Sequence, residues 1–317
     1  MQSGRPVSRK TRWERFKAAM WEYRWLNLMV IPGFFFFILF KYVPMYGIII
    51  AFKNYKGAAG GFQAIASAPW IGLKNFEIFF KSLYCARIFK NTIWISLLRL
   101  VFSFPAPILL ALMINEVRSN VFKRTVQTIT YMPYFLSWVV VAALLNTLLS
   151  PDNGAINAMI QLRGGSTVYF LTSKSWFRPI LIISEIWKNI GYGSIVYLAA
   201  ITSIDQEQYE AARVDGASKF QQIIHVTLPE LSNIIAIMLI LQIGKMFDDN
   251  FDQIYNLYSP SVYEVADVFE TYIYRNGIQQ SKFSYSAAIG LVKSVIALAM
   301  ILFTNWASKK LDTDGLF

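Results

Sequence analysis

The strongest constraint on this chain is a set of apolar stretches, each long enough to cross the ~30 Å hydrocarbon core of a bilayer as a helix of about 18 residues or more. Six are read, at residues 26–52, 93–114, 128–149, 180–202, 231–247 and 285–306. No water is available in that core, so backbone N–H and C=O groups must pair within the chain, and the stretches are expected to be helical. The expected fold class is all-α: a polytopic membrane protein with six transmembrane helices. Composition agrees, since 55% of the 317 residues are apolar, 15% are charged, and the mean hydropathy is +0.41. That is too little polar surface to cover a soluble domain of this size. Phe, Trp and Tyr supply 16% of the residues, as suits a chain that meets many bilayer interfaces. The first stretch contains Pro32 and Pro44 and is expected to be kinked. No small-x-small cleavage pattern follows it, because the chain continues Lys41-Tyr42-Val43-Pro44. It reads as a retained anchor.

Charge sets the orientation. Residues 1–25 carry Arg5, Arg9, Lys10, Arg12, Arg15, Lys17 and Arg24 against Glu14 and Glu22, which places this basic, interfacial segment in the cytoplasm. Residues 26–306 then form the six-span membrane domain, and six crossings return the tail 307–317, with Lys309 and Lys310, to the same side. The loops 53–92, 150–179 and 248–284 fall outside. The short inner loop 115–127 holds Arg118, Lys123 and Arg124. The formal charge of +11 reads first as a basic face against anionic lipid, then as affinity for a polyanionic solute; no basic-aromatic module for nucleic acid is present. The single Cys85 cannot build a disulfide framework, and the single His225 cannot build a His-rich metal site.

The inner loop 203–230 is different. It is acidic, with Asp205, Glu207, Glu210, Asp215 and Glu230 against Arg213 and Lys219. A lipid-facing cytoplasmic loop is usually basic, so this one is expected to dock on a protein. Ala211 and Ala212 favour helix, Gly216 allows a sharp turn, and Phe220, Ile223 and Ile224 give a second helix one apolar face. Pro229 is expected to mark a helix boundary before the next span. The compact hairpin suits insertion into a groove of a partner.

The residues Glu210-Ala211-Ala212, Gly216, Val226 and Leu228-Pro229 resemble, in type and spacing, the EAA loop of ABC importer permeases, with Val226 where Ile is usual. Tyr42-Val43-Pro44-Met45-Tyr46-Gly47, Trp70-Ile71-Gly72-Leu73-Lys74-Asn75-Phe76 and Tyr131-Met132-Pro133-Tyr134-Phe135-Leu136-Ser137-Trp138 are similar to the carbohydrate branch of those permeases, in particular to oligosaccharide and polysaccharide-fragment permeases that include alginate importers. The resemblance implies the type I ABC importer permease fold and a bacterial inner-membrane location. It further implies a second permease subunit, two ATP-binding subunits carrying the ATP and Mg, and an external solute-binding protein that delivers an oligosaccharide. ATPase coupling then falls to Glu210, Ala211, Ala212, Asp215, Gly216, Leu228 and Pro229. The residues themselves agree with this division of labour, because the chain has no G-x-x-x-x-G-K-[ST] phosphate loop; Gly164-Gly165-Ser166 lacks the spacing and the Lys. No cofactor and no catalysis are expected on this chain. An ion-coupled secondary transporter is the rival reading, and it predicts inverted repeats and broken helices. A membrane-embedded enzyme is the second rival, and it predicts a carboxylate cluster with a metal or lipid-phosphate site.

Charges at membrane depth face a bundle interior or a wet cavity. Glu185 and Lys188 lie one helical turn apart, and with Asn189 and Tyr192 they form one polar face of the fourth stretch. Two roles are open for Glu185 and Lys188: a structural ion pair with each other, or a place on the solute pathway. Lys41, Arg99, Lys245 and Lys293 are expected to snorkel or cap helix ends. Asp248, Asp249, Asn250 and Asp252 read as a solvated helix end or gate contact before a cation site.

Overall fold

The computed structural model describes residues 11, 13, 17, 20–57, 61–246 and 251–310, with side chains up to residue 306. Most of the basic residues of 1–25, the acidic run Asp248–Asn250 and the tail beyond 310 lie outside the described residues, and Lys309 and Lys310 are placed by backbone alone. Among the described residues the fold is helical, with one isolated antiparallel bridge between Lys53 and Trp70. The long elements are α1 (Arg24–Phe52), α2 (Leu83–Glu116), α3 (Asn120–Phe135), α4 (Trp138–Leu148), α5 (Lys174–Thr202), α6 (Gln206–Val214), α7 (Lys219–Gly244) and α8 (Phe283–Lys310).

The six uniform spans read from the sequence are not all found. Four described helices, α1, α2, α7 and α8, are long and apolar enough to cross a bilayer, and α3 with α4 makes a fifth only as a pair bent by 100°. The break follows from local sequence. Pro133 opens a tight 3-10 turn over Met132–Phe135, Leu136 is extended at ψ 138°, and the Ser137 hydroxyl caps α4 by accepting from the Val140 N–H at 3.4 Å. α5 has the length, at 29 residues, but Arg178, Glu185 and Lys188 along it prevent it from reading as apolar.

Three prolines sit inside continuous helices for one shared reason. A proline has no N–H for the carbonyl four residues back. In each case a π-helical turn, Ile38–Tyr42, Arg99–Ser103 or Ile223–Thr227, ends two residues before the proline, Pro44, Pro105 or Pro229. The residue before each proline donates instead to the carbonyl five back: Val43 to Ile38, Phe104 to Arg99, Leu228 to Ile223. The wider turn re-registers the ladder and the helix passes through. Pro229 is therefore not the helix boundary expected from the sequence. The second helix of the hairpin and the fifth span are one element, α7.

α5 is the axis of the packing. Its Phe177 and Leu181 are fully buried and pack with Ile95 of α2, Ala142 of α4 and Ile254 of the short helix Phe251–Leu257. Its Tyr197, Leu198 and Ile201 pack with Ile108 and Ile114 of α2 and Leu231 of α7. Gly191 lets α3 approach closely: a Cβ there would lie 2.1 Å from the Thr130 carbonyl oxygen. A third cluster joins Phe79, Ile88, Phe269 and Ile289 near the starts of α2 and α8. α1, by contrast, buries only Ala51 and exposes Phe34, Phe35, Phe36 and Phe37 by more than half, a surface suited to lipid.

Candidate functional site: a polar cavity against α5 and an exposed hairpin

Of the polar face predicted on α5, Glu185, Asn189 and Tyr192 line a cavity, and Lys188 does not. A cleft of about 380 Å³ is lined by Glu185, Asn189 and Tyr192 of α5, Arg99 of α2, Tyr134 and Trp138 at the α3–α4 break, and Gln242 and Lys245 at the end of α7. Its size lies within the range of small-molecule sites. Tyr134 stacks on Tyr192 with centroids 3.8 Å apart and planes within 6°. A larger cavity of about 690 Å³ between α1, α2 and α8 is lined by apolar side chains alone, such as Phe52, Phe76 and Phe89; it has no polar group to orient a solute.

The expected Glu185–Lys188 pair is not formed. Glu185 instead forms an ion pair with Arg99, with Nε–Oε2 at 2.6 Å and the two side chains only 12% and 5% exposed. Arg99 also donates to Gln253, whose own amide donates to the Leu181 carbonyl at 2.7 Å and the Ser184 hydroxyl at 2.9 Å. The network ties α2, α5 and the helix Phe251–Leu257 together. Arg99 is thus a buried ion-pair partner and not a snorkelling cation. Lys293 likewise pairs with Glu270 beside α8, whereas Lys41 and Lys245 are exposed. Lys188 is buried at 7% exposure. Its ammonium donates to the Tyr134 carbonyl at 2.7 Å and lies 5.1 and 5.6 Å from the Tyr134 and Trp138 ring centres. A lysine one turn from Glu185 is drawn away because a carbonyl and two ring faces satisfy it better than a carboxylate already held by a guanidinium. Sequence reasoning missed Tyr134 and Trp138. Both lie within one motif, and their i, i+4 spacing would give them one face even in a continuous helix 128–149; what no local pattern shows is that this face meets Lys188 of α5.

The helix–turn–helix forms, without the boundary expected at Pro229. α6 is capped by Asp205, whose carboxylate accepts from the Glu207 N–H at 3.0 Å. Gly216 turns the chain at φ +81°, a left-handed conformation that side chains with a Cβ resist. Ser218 and Gln221 then close a reciprocal capping box at the start of α7. Tyr209 and Thr227 hydroxyls meet at 2.9 Å and clamp the two arms. Glu210, Ala211 and Asp215 are exposed and Ala212 is half-buried. Val214 and Phe220 are 87% and 70% exposed, so the tip carries apolar side chains without cover from this chain. A hollow of about 310 Å³ between Ala212, Gly216 and His225 lies beside them. Leu228 and Pro229 sit at the root, inside α7. Of the outer acidic residues, Asp252 is described, exposed on the helix Phe251–Leu257, and no cluster of metal-binding side chains occurs among the described residues.

Comparison with known proteins decides the family. Residues 103–313 match the family described as the binding-protein-dependent transport system inner membrane component. The chain belongs to this family. It is 42% identical over 300 residues to Protein LplB of Bacillus subtilis, covering 95% of this chain and 93% of that one. It is 41% identical over 311 residues to the polygalacturonan/rhamnogalacturonan transport system permease protein YteP of the same organism, covering 98% and 96%. Among solved structures it is similar to a bacterial ABC transporter involved in import of the acidic polysaccharide alginate, at 44% identity and TM-score 0.87 over 94% of this chain and 99% of that one. A structure of a bacterial alginate ABC transporter in complex with alginate pentasaccharide-bound periplasmic protein matches at 43% identity and TM-score 0.88, over 96% and 100%. A member of this family is a membrane component of a transport system, and the type I permease fold is that of its structural neighbours. The hairpin 203–230 and the whole of α5 lie inside the matched region.

Proposed function

We propose that this chain is a permease subunit of an ATP-driven ABC importer that takes up an oligosaccharide delivered by an external solute-binding protein. The observation that carries the reading is the cavity at α5. Stacked Tyr134 and Tyr192 with Trp138 offer flat faces to pyranose C–H groups, while Asn189, Gln242 and Lys245 offer hydrogen bonds to hydroxyls. Arg99 and Lys245 outnumber Glu185 in its lining, which favours a substrate that carries carboxylates, such as a uronate oligomer of the alginate type. The similarity to YteP and to the alginate transporters supports the same class.

In this reading both termini are cytoplasmic, and α5 completes six crossings because its charges are covered by α2, α3 and α7. A second permease subunit covers the remaining open side of the cavity. Two ATP-binding subunits receive the hairpin, with Glu210, Ala211, Ala212, Asp215 and Gly216 at the contact and Leu228 and Pro229 at the root. The outer loops 53–92 and 248–284 receive the loaded binding protein.

The test is uptake into proteoliposomes that hold this chain with its partner subunits, using labelled neutral and uronate oligosaccharides with and without internal ATP. ATP-dependent uptake that favours uronates is the expected result. Uptake driven by an ion gradient without ATP would overturn it in favour of a secondary transporter.

A further inference from the structure

A second cavity, of about 620 Å³, shares no lining residue with the one at α5. It is built from the helix Lys74–Lys81, the start of α2, the turn Arg275–Gln279 and the start of α8, all segments that the charge pattern puts on the outer side. Its walls are tyrosines. Tyr84 leans on Tyr272 with centroids 5.7 Å apart, and the Tyr272 and Tyr285 hydroxyls meet at 3.1 Å. Arg275 is fixed between the Tyr263 and Tyr272 rings, at 4.5 and 5.5 Å from their centres. Asp267 holds it from behind through both guanidinium nitrogens, one at 3.2 Å. Burial alone would lower the pKa of Arg275; its hydrogen bonds and charge contact with Asp267 override this and raise it.

The groups left over face a ligand. The Ser82 hydroxyl lines the cavity, is buried, and has no hydrogen-bond partner. Gln280 and Lys282 are exposed at the rim and supply an amide and a cation. Aromatic faces beside hydroxyl, amide and guanidinium donors suit a saccharide. A pyranose ring presents a C–H face to stack on and a fringe of hydroxyls to bond. A lipid chain would find too many polar groups here. Asp267 cancels the charge of Arg275, so Lys282 is left to meet a sugar carboxylate.

We infer that this outer cavity is an accessory saccharide subsite, which holds part of an oligosaccharide on the outer side before it enters the cavity at α5. The assignment rests on the importer reading above, and the experiment separates the two. The assembled transporter in nanodiscs, without the binding protein, is titrated with galacturonate trimers to hexamers and with maltotriose to maltohexaose, followed by saturation-transfer NMR. Tyr84→Ala with Gln280→Ala removes two exposed side chains and is expected to weaken binding by fivefold or more. Trp138→Ala, at the α5 cavity, is expected to leave a residual signal that the outer pair of substitutions abolishes. Unchanged binding in the outer variant overturns the subsite, as does a wild-type complex that binds none of these sugars. Normal sugar binding with weakened docking of the loaded binding protein also overturns it and assigns the cavity to that protein contact. Failure of ATP-dependent uptake by wild-type vesicles would instead strike the importer reading, since the binding measurement needs no transport.

Discussion

Replacing Arg99 by Met tests the buried network at the cavity. The Arg99 and Glu185 side chains are 5% and 12% exposed, so neither charge recovers its lost hydration. Removing one partner of such a pair strands the other and costs about 3–5 kcal/mol. Arg99→Met also takes the donor from Gln253, adding about 1 kcal/mol. Glu185→Leu leaves Arg99 with Gln253 and is expected to cost less. The double variant Arg99→Met/Glu185→Leu removes both charges and leaves Gln253 bonded to Leu181 and Ser184, so it should recover to within about 2 kcal/mol of wild type. At about 2 °C per kcal/mol in a chain of this size, Arg99→Met lowers the unfolding temperature by roughly 8–12 °C. The assay is thermal unfolding of the assembled complex for the two single variants and the double, read as a cycle. Losses that simply add in the double variant would refute the pairing and with it the account of why α5 carries a carboxylate at that depth.

Other perturbations follow from single features. Gly216→Val forces a β-branched residue to φ +81°, where no neighbour lies within 4 Å of the new Cβ. The cost is therefore backbone strain of about 1–2 kcal/mol, and ATPase stimulation by loaded binding protein should fall while the membrane helices stay folded; full stimulation would contradict a coupling role. Lys188→Met loses the bond to the Tyr134 carbonyl but also a buried cation. Stability should change by no more than about 1 kcal/mol while the KM for sugar uptake rises, and an unchanged KM would remove Lys188 from the site. The Lys174 ammonium bonds to Glu264, and that bond and then its charge hold the Glu264 carboxyl below its usual 4.5. A depressed carboxyl stabilises the fold above its unfolded pKa and loses that contribution as pH falls through the folded value. Lys174→Met should therefore show a small stability deficit at neutral pH that begins to fade as pH falls to about 4.5 and is gone below the depressed folded value; the pair is exposed, and a deficit that grew in acid would reverse the sign of the argument.

The sequence disclosed the hairpin because its signals are local: Ala211 and Ala212 favour helix and Gly216 turns the chain, while the Asp205 cap and the Ser218–Gln221 box are local signals that emerged only with the structure. It disclosed α1, α2, α7 and α8 through length and apolarity. It concealed what depends on contacts across the fold. Glu185 and Lys188 are one turn apart, and only tertiary structure brings Arg99 to the first and the Tyr134 carbonyl to the second. The bend between α3 and α4 was hidden because residues 128–149 carry no charge and are mostly apolar, and Pro133 was outweighed by that run. Pro229 misled in the opposite sense, since a π turn upstream cancels its usual effect.

The continuity of α7 has a mechanical consequence. Its first turn belongs to the hairpin, and Met238, Gln242 and, just past its end, Lys245 form part of the cavity wall. The stretch from Lys219 to Gly244 is 26 residues, about 39 Å of helix at 1.5 Å per residue, with one compliant turn at Ile223–Thr227. A straight rod would carry a push at the hairpin to the cavity as pure translation. A rod with a wide turn near its driven end also twists, since a π turn can shift along a helix by changing which carbonyl each N–H meets. One degree of freedom at the hairpin therefore becomes two at the cavity, advance and rotation, and rotation is what would carry Gln242 and Lys245 across the face of the stacked tyrosines.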